Sequence, residues 1–275
     1  MDTATTTRYV HGYSAREAGR LGDQADTLAA LLHTGTAYPA GSRVLEVGCG
    51  VGAQTVHLVR ASPGVHLTAV DVSAASLAEA RARVTGAAPG ADVVWRAADL
   101  FDLPFPDASF DHLFVCFVLE HLADPHRALT GLRRVLRPGG TITVIEGDHG
   151  SAFFHPASIF ATAAVDCLVQ LQADAGGDGL LGRRLQPLLA GAGYGEVRVE
   201  PRPVYVDATR PALVEGFTLQ TFTAMVESVR EDALLAGLIT EQAWDRGVTD
   251  LRRTAEDGGT FHYTFFKATA VLPAG

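Results

Sequence analysis

The stretch VLEVGCGVGAQT, Val44 to Thr55, decides how the rest of the chain is read. An apolar run suited to a strand (RVLEV, 43–47) leads directly into Gly48, Gly50 and Gly52, and then into residues that suit a helix. A chain turning sharply from strand to helix needs residues that accept positive φ and leave room for a ligand to approach the first helical amides. Glycine supplies both. The expected unit is a strand, a ligand-binding turn and a helix from about Gly52 to Arg60.

The same rhythm continues outward. Strands are expected at 66–70 (HLTAV), 93–96 (VVWR), 111–117 (DHLFVCF) and 141–145 (TITVI), with helices at 74–84 and 124–136 and a turn at RPGG. Short apolar strands without polar alternation, separated by helices, are buried on both faces and imply a parallel sheet covered by helices. This makes 41–150 a doubly wound, Rossmann-like α/β core. Beyond Glu146 the rhythm breaks: 151–192 reads as helical, 194–200 as a strand, 211–256 as a helical cap insertion, and 260–271 (TFHYTFFKATAV) as a strand rich in aromatic and β-branched residues. Residues 151–275 are thus the C-terminal part of the core with its cap. Ala15–Leu32 has the pattern of an amphipathic helix, with Ser14 as N-cap and Glu17 completing a capping box, so 1–40 is expected to form an N-terminal helical lid. Phe222, Met225, Val226 and Val229 fall at i, i+3, i+4 and i+7 and form one apolar stripe, read first as core or cap packing.

Composition narrows the function. The formal charge of −9 speaks against general affinity for nucleic-acid phosphates, which requires clustered Lys and Arg. With 47% hydrophobic residues but no apolar run near the ~20 residues that span a bilayer, no membrane association is expected. The opening MDTATTTRYVHGYS lacks the basic start and apolar stretch of a secretory signal, so a cytoplasmic location is expected. Cys49, Cys116 and Cys167 are too scattered for a disulfide framework or a metal cluster, and no metal is expected.

Two kinds of nucleotide site would accept the turn. As G-x-G-x-x-A, ending at Ala53, it fits a dinucleotide fingerprint; as G-x-G-x-G it fits a methyl-donor site. The neighbours discriminate. Glu46, two residues before Gly48, would repel a pyrophosphate but suits a sulfonium ligand with an amino-acid tail. Asp71 ends the second strand, where a carboxylate can accept from both ribose hydroxyls. Asp99 follows the third strand in AADLFDLPF, able to accept from an adenine amino group while the Leu100 amide donates to the ring. Carboxylates at successive strand ends trace an adenosyl ligand along the sheet edge at the topological switch point.

With these residues the chain resembles the class I S-adenosylmethionine (SAM)-dependent methyltransferases, in particular the group containing the quinone-biosynthesis C-methyltransferases. VLEVGCGVG, AVDVS, AADLFDLPFPDASFD, VCFVLEHLADP and RVLRPGGTITVIE carry the resemblance across about 44–146, in the family's order. The resemblance implies a seven-stranded sheet ordered 3-2-1-4-5-7-6 with the last strand antiparallel. It implies SAM as cofactor and S-adenosylhomocysteine as its product. Gly48, Gly50 and Gly52 would wrap the methionine part, Asp71 with Val72 the ribose, Asp99 and Leu100 the adenine, and the backbone around Cys116 and Phe117 the sulfonium. The outer segments, including YVHGYSAREAGRLGDQA and the long helical insertion, look like bacterial natural-product methyltransferases, among them enzymes that methylate indole C3.

Methyl transfer from a sulfonium is an in-line displacement, for which alignment and exclusion of water matter more than a dedicated base. The candidates for chemistry are Glu146, Asp148 and His149, expected at the end of the fifth strand; His121, against its reading as a capping residue; and Tyr13, placed to close over the sulfonium by cation–π contact. An apolar aromatic small molecule is the expected acceptor, with an indole carbon the narrowest case and an oxygen or nitrogen acceptor, such as a quinone precursor, the alternative. A nicotinamide oxidoreductase and a non-catalytic SAM-binding module are the competing classes. Self-association is left open.

Overall fold

The computed structural model describes residues 25–274. Seven strands, β1 (Arg43–Val47), β2 (His66–Asp71), β3 (Val93–Ala97), β4 (Phe110–Cys116), β5 (Leu136–His155), β6 (Gly195–Val206) and β7 (Thr260–Val271), form one sheet in the order β3-β2-β1-β4-β5-β7-β6. The pairs from β3 to β5 are parallel, and β7 runs antiparallel to both β5 and β6. The expected order and direction hold, with β7 inserted between the fifth and sixth strands.

Helices α1 (Ala53–Ala61), α2 (Ala74–Ala87) and α3 (Pro125–Leu132) alternate with the first strands. Burial on both faces explains the unbroken apolar strands. Val44, Phe114 and Ile145 pack with Leu28, Leu32 and Leu58 on one face. Leu45, Val47, Leu113, Val115 and Val144 pack with Leu129, Leu132, Leu185 and Leu189 on the other. Asp124 caps α3 by accepting from the Arg127 amide at 2.8 Å, and Pro125 occupies the first helical position, where its missing N–H costs nothing.

The structure corrects the sequence reading around β5. Helix α3 ends at Leu132, not 136, and Leu136 already belongs to the strand. The RPGG segment lies within β5, where Gly139, at φ +74°, lets the chain shift register. Nor does β5 stop at 145. It continues to His155, and after a register shift Phe153, Phe154 and His155 pair with His262, Phe261 and Thr260. Residues 151–155 are therefore strand and not helix. The twelve-residue β7 presents backbone donors and acceptors along its whole length, and pairing them is less costly than burying them unsatisfied. Helix α4 (Ile159–Asp174) begins only after this extension, capped by Ser158, and α5 (Leu185–Gly191) precedes β6.

The cap is helical as expected, but its period differs. Val214–Thr223 is a π-helix, in which the Thr221 and Thr223 hydroxyls donate to the carbonyls of Gly216 and Thr218, five residues back. The α-helical spacing read across Phe222–Val229 therefore applies only from the cap's later turns onward. Phe222, Val226 and Val229 are buried and Met225 is partly buried against the same cluster, which is the core-packing reading of the stripe. Of the expected N-terminal lid, 25–33 is helical, and a Cβ at Gly216 would lie 2.5 Å from the Thr27 hydroxyl oxygen, so this helix rests directly on the π-helix. Ser14, Glu17 and Tyr13 lie outside the described residues. Lys267, the chain's single lysine, is buried in β7. It donates to the Thr34 carbonyl at 2.7 Å and to the Thr36 hydroxyl, tying the segment after that helix to the sheet.

Gly52 caps α1 at φ +75°, and a Cβ there would lie 2.9 Å from the Ala80 Cα in α2. Gly52→Ala must strain the turn and push the helices apart, at about 1–3 kcal/mol. A denaturant midpoint shifted accordingly is expected; an unchanged midpoint would contradict this packing.

Candidate active site

The glycine turn is held from below and open above. Gly48, Gly50 and Gly52 all have positive φ, at +69°, +51° and +75°. The amides of Gly48 and Cys49 both donate to the Val70 carbonyl, at 2.8 and 3.0 Å. The Gly50 amide donates to one oxygen of Asp71 at 2.9 Å and the Ser73 amide to the other at 2.9 Å, so this carboxylate links the turn to the end of β2. Among the described residues a Cβ at Gly50 would meet nothing within 4 Å, whereas at Gly48 it would lie 2.5 Å from Val118 Cγ2. The turn is thus closed toward Val118 and open at Gly50, as a backbone cradle must be.

Glu46, two residues before the first glycine of the turn, is 2% exposed, and its Oε2 has no hydrogen-bond partner among the described residues. Burial pushes its carboxyl up to about 8, and the nearby Asp71 charge adds to the shift. A buried carboxyl oxygen without a partner invites a donor from a ligand, and the ammonium of an amino-acid tail meets that demand where a pyrophosphate does not. Along the same edge, the Ala98 amide donates to the Asp71 carbonyl at 3.0 Å and Asp99 accepts from the Phe101 amide at 2.9 Å. Asp71 and Asp99 therefore end neighbouring strands side by side, with Val72 exposed and Leu100 half-buried between them. These residues fit an adenosyl ligand carrying an amino-acid tail.

Next to the cradle, β4 ends at Cys116. Phe117 takes a positive φ of 57° and donates its amide to the Ile145 carbonyl at 2.9 Å, and the chain then enters the 3-10 turn Leu119–His121. Glu146 holds that turn: one carboxyl oxygen accepts from the Val118 and Leu119 amides at 3.1 and 2.8 Å, while the other is buried without a partner among the described residues. Burial, reinforced by repulsion from Glu120, holds its carboxyl well above the usual range. Asp148 is buried in a two-pronged ion pair with Arg183, both oxygens at 2.7 Å. His149 pairs its Nδ1 with the Tyr263 hydroxyl at 2.9 Å, and His121 lies 3.5 Å from Glu120.

Glu146, Asp148 and His149 were expected at the end of the fifth strand, and the structure corrects their position. They sit in the middle of the twenty-residue β5, because the strand continues along β7. Glu146 and Asp148 are committed to the turn amides and to Arg183.

Sequence reasoning missed the aromatic residues facing this region. Phe261, Tyr263 and Phe265 share one face of β7 and meet Phe217 and Phe222 from the cap: Phe217 lies 5.9 Å from Phe265, Phe222 lies 5.6 Å from Tyr263, and Phe265 lies 5.6 Å from Phe117. Centroid separations of 4.5–7 Å at tilted angles are the favourable range for aromatic pairs. The signal was present, since positions 261, 263 and 265 repeat with the period of two that puts side chains on one strand face.

The comparisons agree with this geometry. A family model described as a methyltransferase domain matches residues 45–144. The chain is 33% identical over 134 residues to the 27-O-demethylrifamycin SV methyltransferase of Amycolatopsis mediterranei, covering 49% of each protein. It is 38% identical over 117 residues to a demethylmenaquinone methyltransferase of Tropheryma whipplei, covering 42% of this chain and 46% of that one. The chain thus spans less than half the length of these curated relatives. Among solved structures, a 4+2 cyclase, SpnF, superposes with a TM-score of 0.55 at 21% identity, covering 92% of this chain and 82% of that one, a likeness of fold. The phosphoethanolamine N-methyltransferase 2 of Haemonchus contortus superposes with a TM-score of 0.55 at 20% identity, covering 90% and 52%. The core is a methyltransferase domain. Over these residues the chain is similar to methyltransferases, and the Haemonchus enzyme that shares its fold was solved with SAM.

Glu46 gives a pH test. Its carboxyl is held near 8, above its ordinary 4.5, so the folded state binds this proton more tightly than the unfolded chain. The resulting stability is fully present below the unfolded value and is lost as pH rises through the folded one. Glu46→Gln cannot ionise and is expected to gain stability relative to the parent between about pH 5 and 8, at up to about 1.4 kcal/mol per pH unit. Thermal unfolding across that range checks it; parallel curves for the two proteins would refute the assignment. Asp71→Ala, which removes the carboxylate from the Gly50 and Ser73 amides, is expected to weaken SAM binding in calorimetry by about 1.5–3 kcal/mol per charge-assisted bond lost.

Proposed function

We propose that the protein is a SAM-dependent methyltransferase that methylates an apolar aromatic small molecule, with an indole C3 as the narrowest acceptor. The observation that carries this reading is the adjacency of the SAM-type cradle to the buried aromatic cluster through Val118, Phe117 and Phe265. Bound SAM supplies an electrophilic methyl group on a sulfonium. Glu46 would receive the ligand's ammonium, Asp71 its ribose hydroxyls, and Asp99 with the Leu100 amide its adenine. The backbone around Cys116 and Phe117 would flank the sulfonium.

The acceptor would approach from the side of β4 and β5, since the adenosyl ligand takes the edge of β1 to β3. Flat apolar rings suit the cluster of Phe117, Phe217, Phe222 and Phe265 better than a sugar or phosphate would. The rings and the lid would also exclude water from the reaction. His149 is the leading candidate for proton acceptance; Glu146 and His121 would act through the turn they hold, and Tyr13 through the lid. A neutral indole is nucleophilic at C3 without prior deprotonation, and a proton acceptor acts as the C–C bond forms and the ring takes on positive charge.

A second reading, an oxygen acceptor such as a phenol or quinone precursor, draws support from the relative named for 27-O-demethylrifamycin SV. Mass spectrometry of products after incubation with SAM and panels of indoles, phenols and quinone precursors separates the two. Methylated indole carbon is expected. Turnover of phenols alone would favour the second reading, and cofactor binding without any product would point to a non-catalytic SAM-binding module. Removal of residues 1–32 is expected to abolish methyl transfer more severely than SAM binding; a folded truncation working at full rate would refute the lid.

A further inference from the structure

Tyr263 stands apart from the surrounding phenylalanines because it carries a hydroxyl into their cluster. That hydroxyl lies over the backbone of β5 at a position left open by Gly147: a Cβ on residue 147 would collide with it. It also lies 2.9 Å from Nδ1 of His149. The imidazole is positioned from other sides. The His149 amide donates to the Gly179 carbonyl at 2.8 Å, a Cβ on Gly179 would lie 2.8 Å from the ring's Cδ2, and Phe222 meets the ring edge-on at 6.4 Å. Glycines at 147 and 179 thus admit a phenol and an imidazole into one hydrogen-bonded pair, on the sheet face that also carries Cys116 and Phe265.

We infer that Tyr263 is a catalytic residue, passing a proton from an N–H or O–H of the acceptor to His149. In this step the acceptor's proton moves to the Tyr263 oxygen while the Tyr263 hydroxyl proton moves to His149 Nδ1. The phenol ends neutral and the imidazole ends as a cation, so no free phenolate forms. Burial supports such a concerted course, because it holds the Tyr263 phenol well above its usual range and disfavours the isolated anion. The charged groups facing the pair are Glu120 on the 3-10 turn and Glu146 and Asp148 on β5, with Asp148 paired to Arg183. With an indole acceptor, the C3–methyl bond forms, the methyl–sulfur bond breaks with its electron pair left on sulfur, and the ring N–H proton is the one relayed.

This inference rests on the methyl-transfer reading and requires an acceptor with a transferable proton. Tyr263→Phe keeps the ring packing and removes the relay. With SAM and an N–H indole, it is expected to lower kcat at least tenfold while leaving SAM affinity and KM close to those of the parent. The acidic limb of the parent's pH profile, set by His149, should disappear in the variant. His149→Gln should lose the same limb, and the double variant should be no slower than the slower single one, since two members of one relay are not additive. Additive losses with the limb retained would assign both residues to packing and overturn the relay. If the parent methylates nothing, the methyl-transfer reading fails by itself. NMR then still decides the pair: Tyr263→Phe should raise the His149 titration midpoint by removing the donor to Nδ1, and an unchanged midpoint and tautomer would overturn the hydrogen bond on which the relay depends.

Discussion

Everything on the acceptor side of the molecule depends on β7 entering the sheet antiparallel between β5 and β6. A parallel fifth strand would end at its ligand edge, as the first four do. Paired instead with a twelve-residue antiparallel neighbour, β5 continues past that edge to His155, because after a register shift Phe153, Phe154 and His155 regain ladder pairing with β7. The extension forms a wall beside the cradle. Its inner face receives Gly147 and His149 from β5 and Phe261, Tyr263 and Phe265 from β7, with the cap lying across it.

The two halves of the site obey different physics. The cofactor half consists of short loops at the ends of parallel strands, where backbone amides are aimed by glycines and fixed by one carboxylate, Asp71. The half proposed for the acceptor consists of side chains on strand faces, where aromatic packing supplies the shape. Glu46 and Glu146 occupy related positions in the two halves. Each is buried, each has one oxygen without a partner among the described residues, and burial holds each above the usual carboxyl range. Carboxyls in such surroundings are a standing cost to the fold, and such costs gather where a site must meet a charged ligand.

The core was legible in the sequence because its information is local. Gly48 to Gly52, the short apolar strands and Asp71 sit within a few residues of the turns they serve, so spacing pointed to a parallel α/β core and its glycine turn, while the strand order came from the family resemblance. The errors arose where a non-local partner decides the outcome. Nothing within SAFFH announces a strand; residues 151–155 become one because β7, more than a hundred residues later, offers an edge. The place of Glu146, Asp148 and His149 was misread for that reason, and Arg183 could not have been paired with Asp148 from spacing. The π-helix escaped because period arguments assume 3.6 residues per turn, and Val214–Thr223 uses a wider one. Phe261, Tyr263 and Phe265 were visible as an alternation, but which face they lined depends on the cap.

Lys267 has a consequence for handling the molecule. It is the chain's single lysine, and it lies 4% exposed beneath the segment 34–36, its ammonium engaged by Thr34 and Thr36 and, through burial and the neighbouring Arg202, brought down to about 8. The folded surface among the described residues therefore offers no lysine to amine-directed crosslinkers, dyes or resins. An acylating reagent reaches this side chain only when the segment lifts away from β7. Acylation of the chain's single lysine side chain thus reports the opening of that corner of the fold.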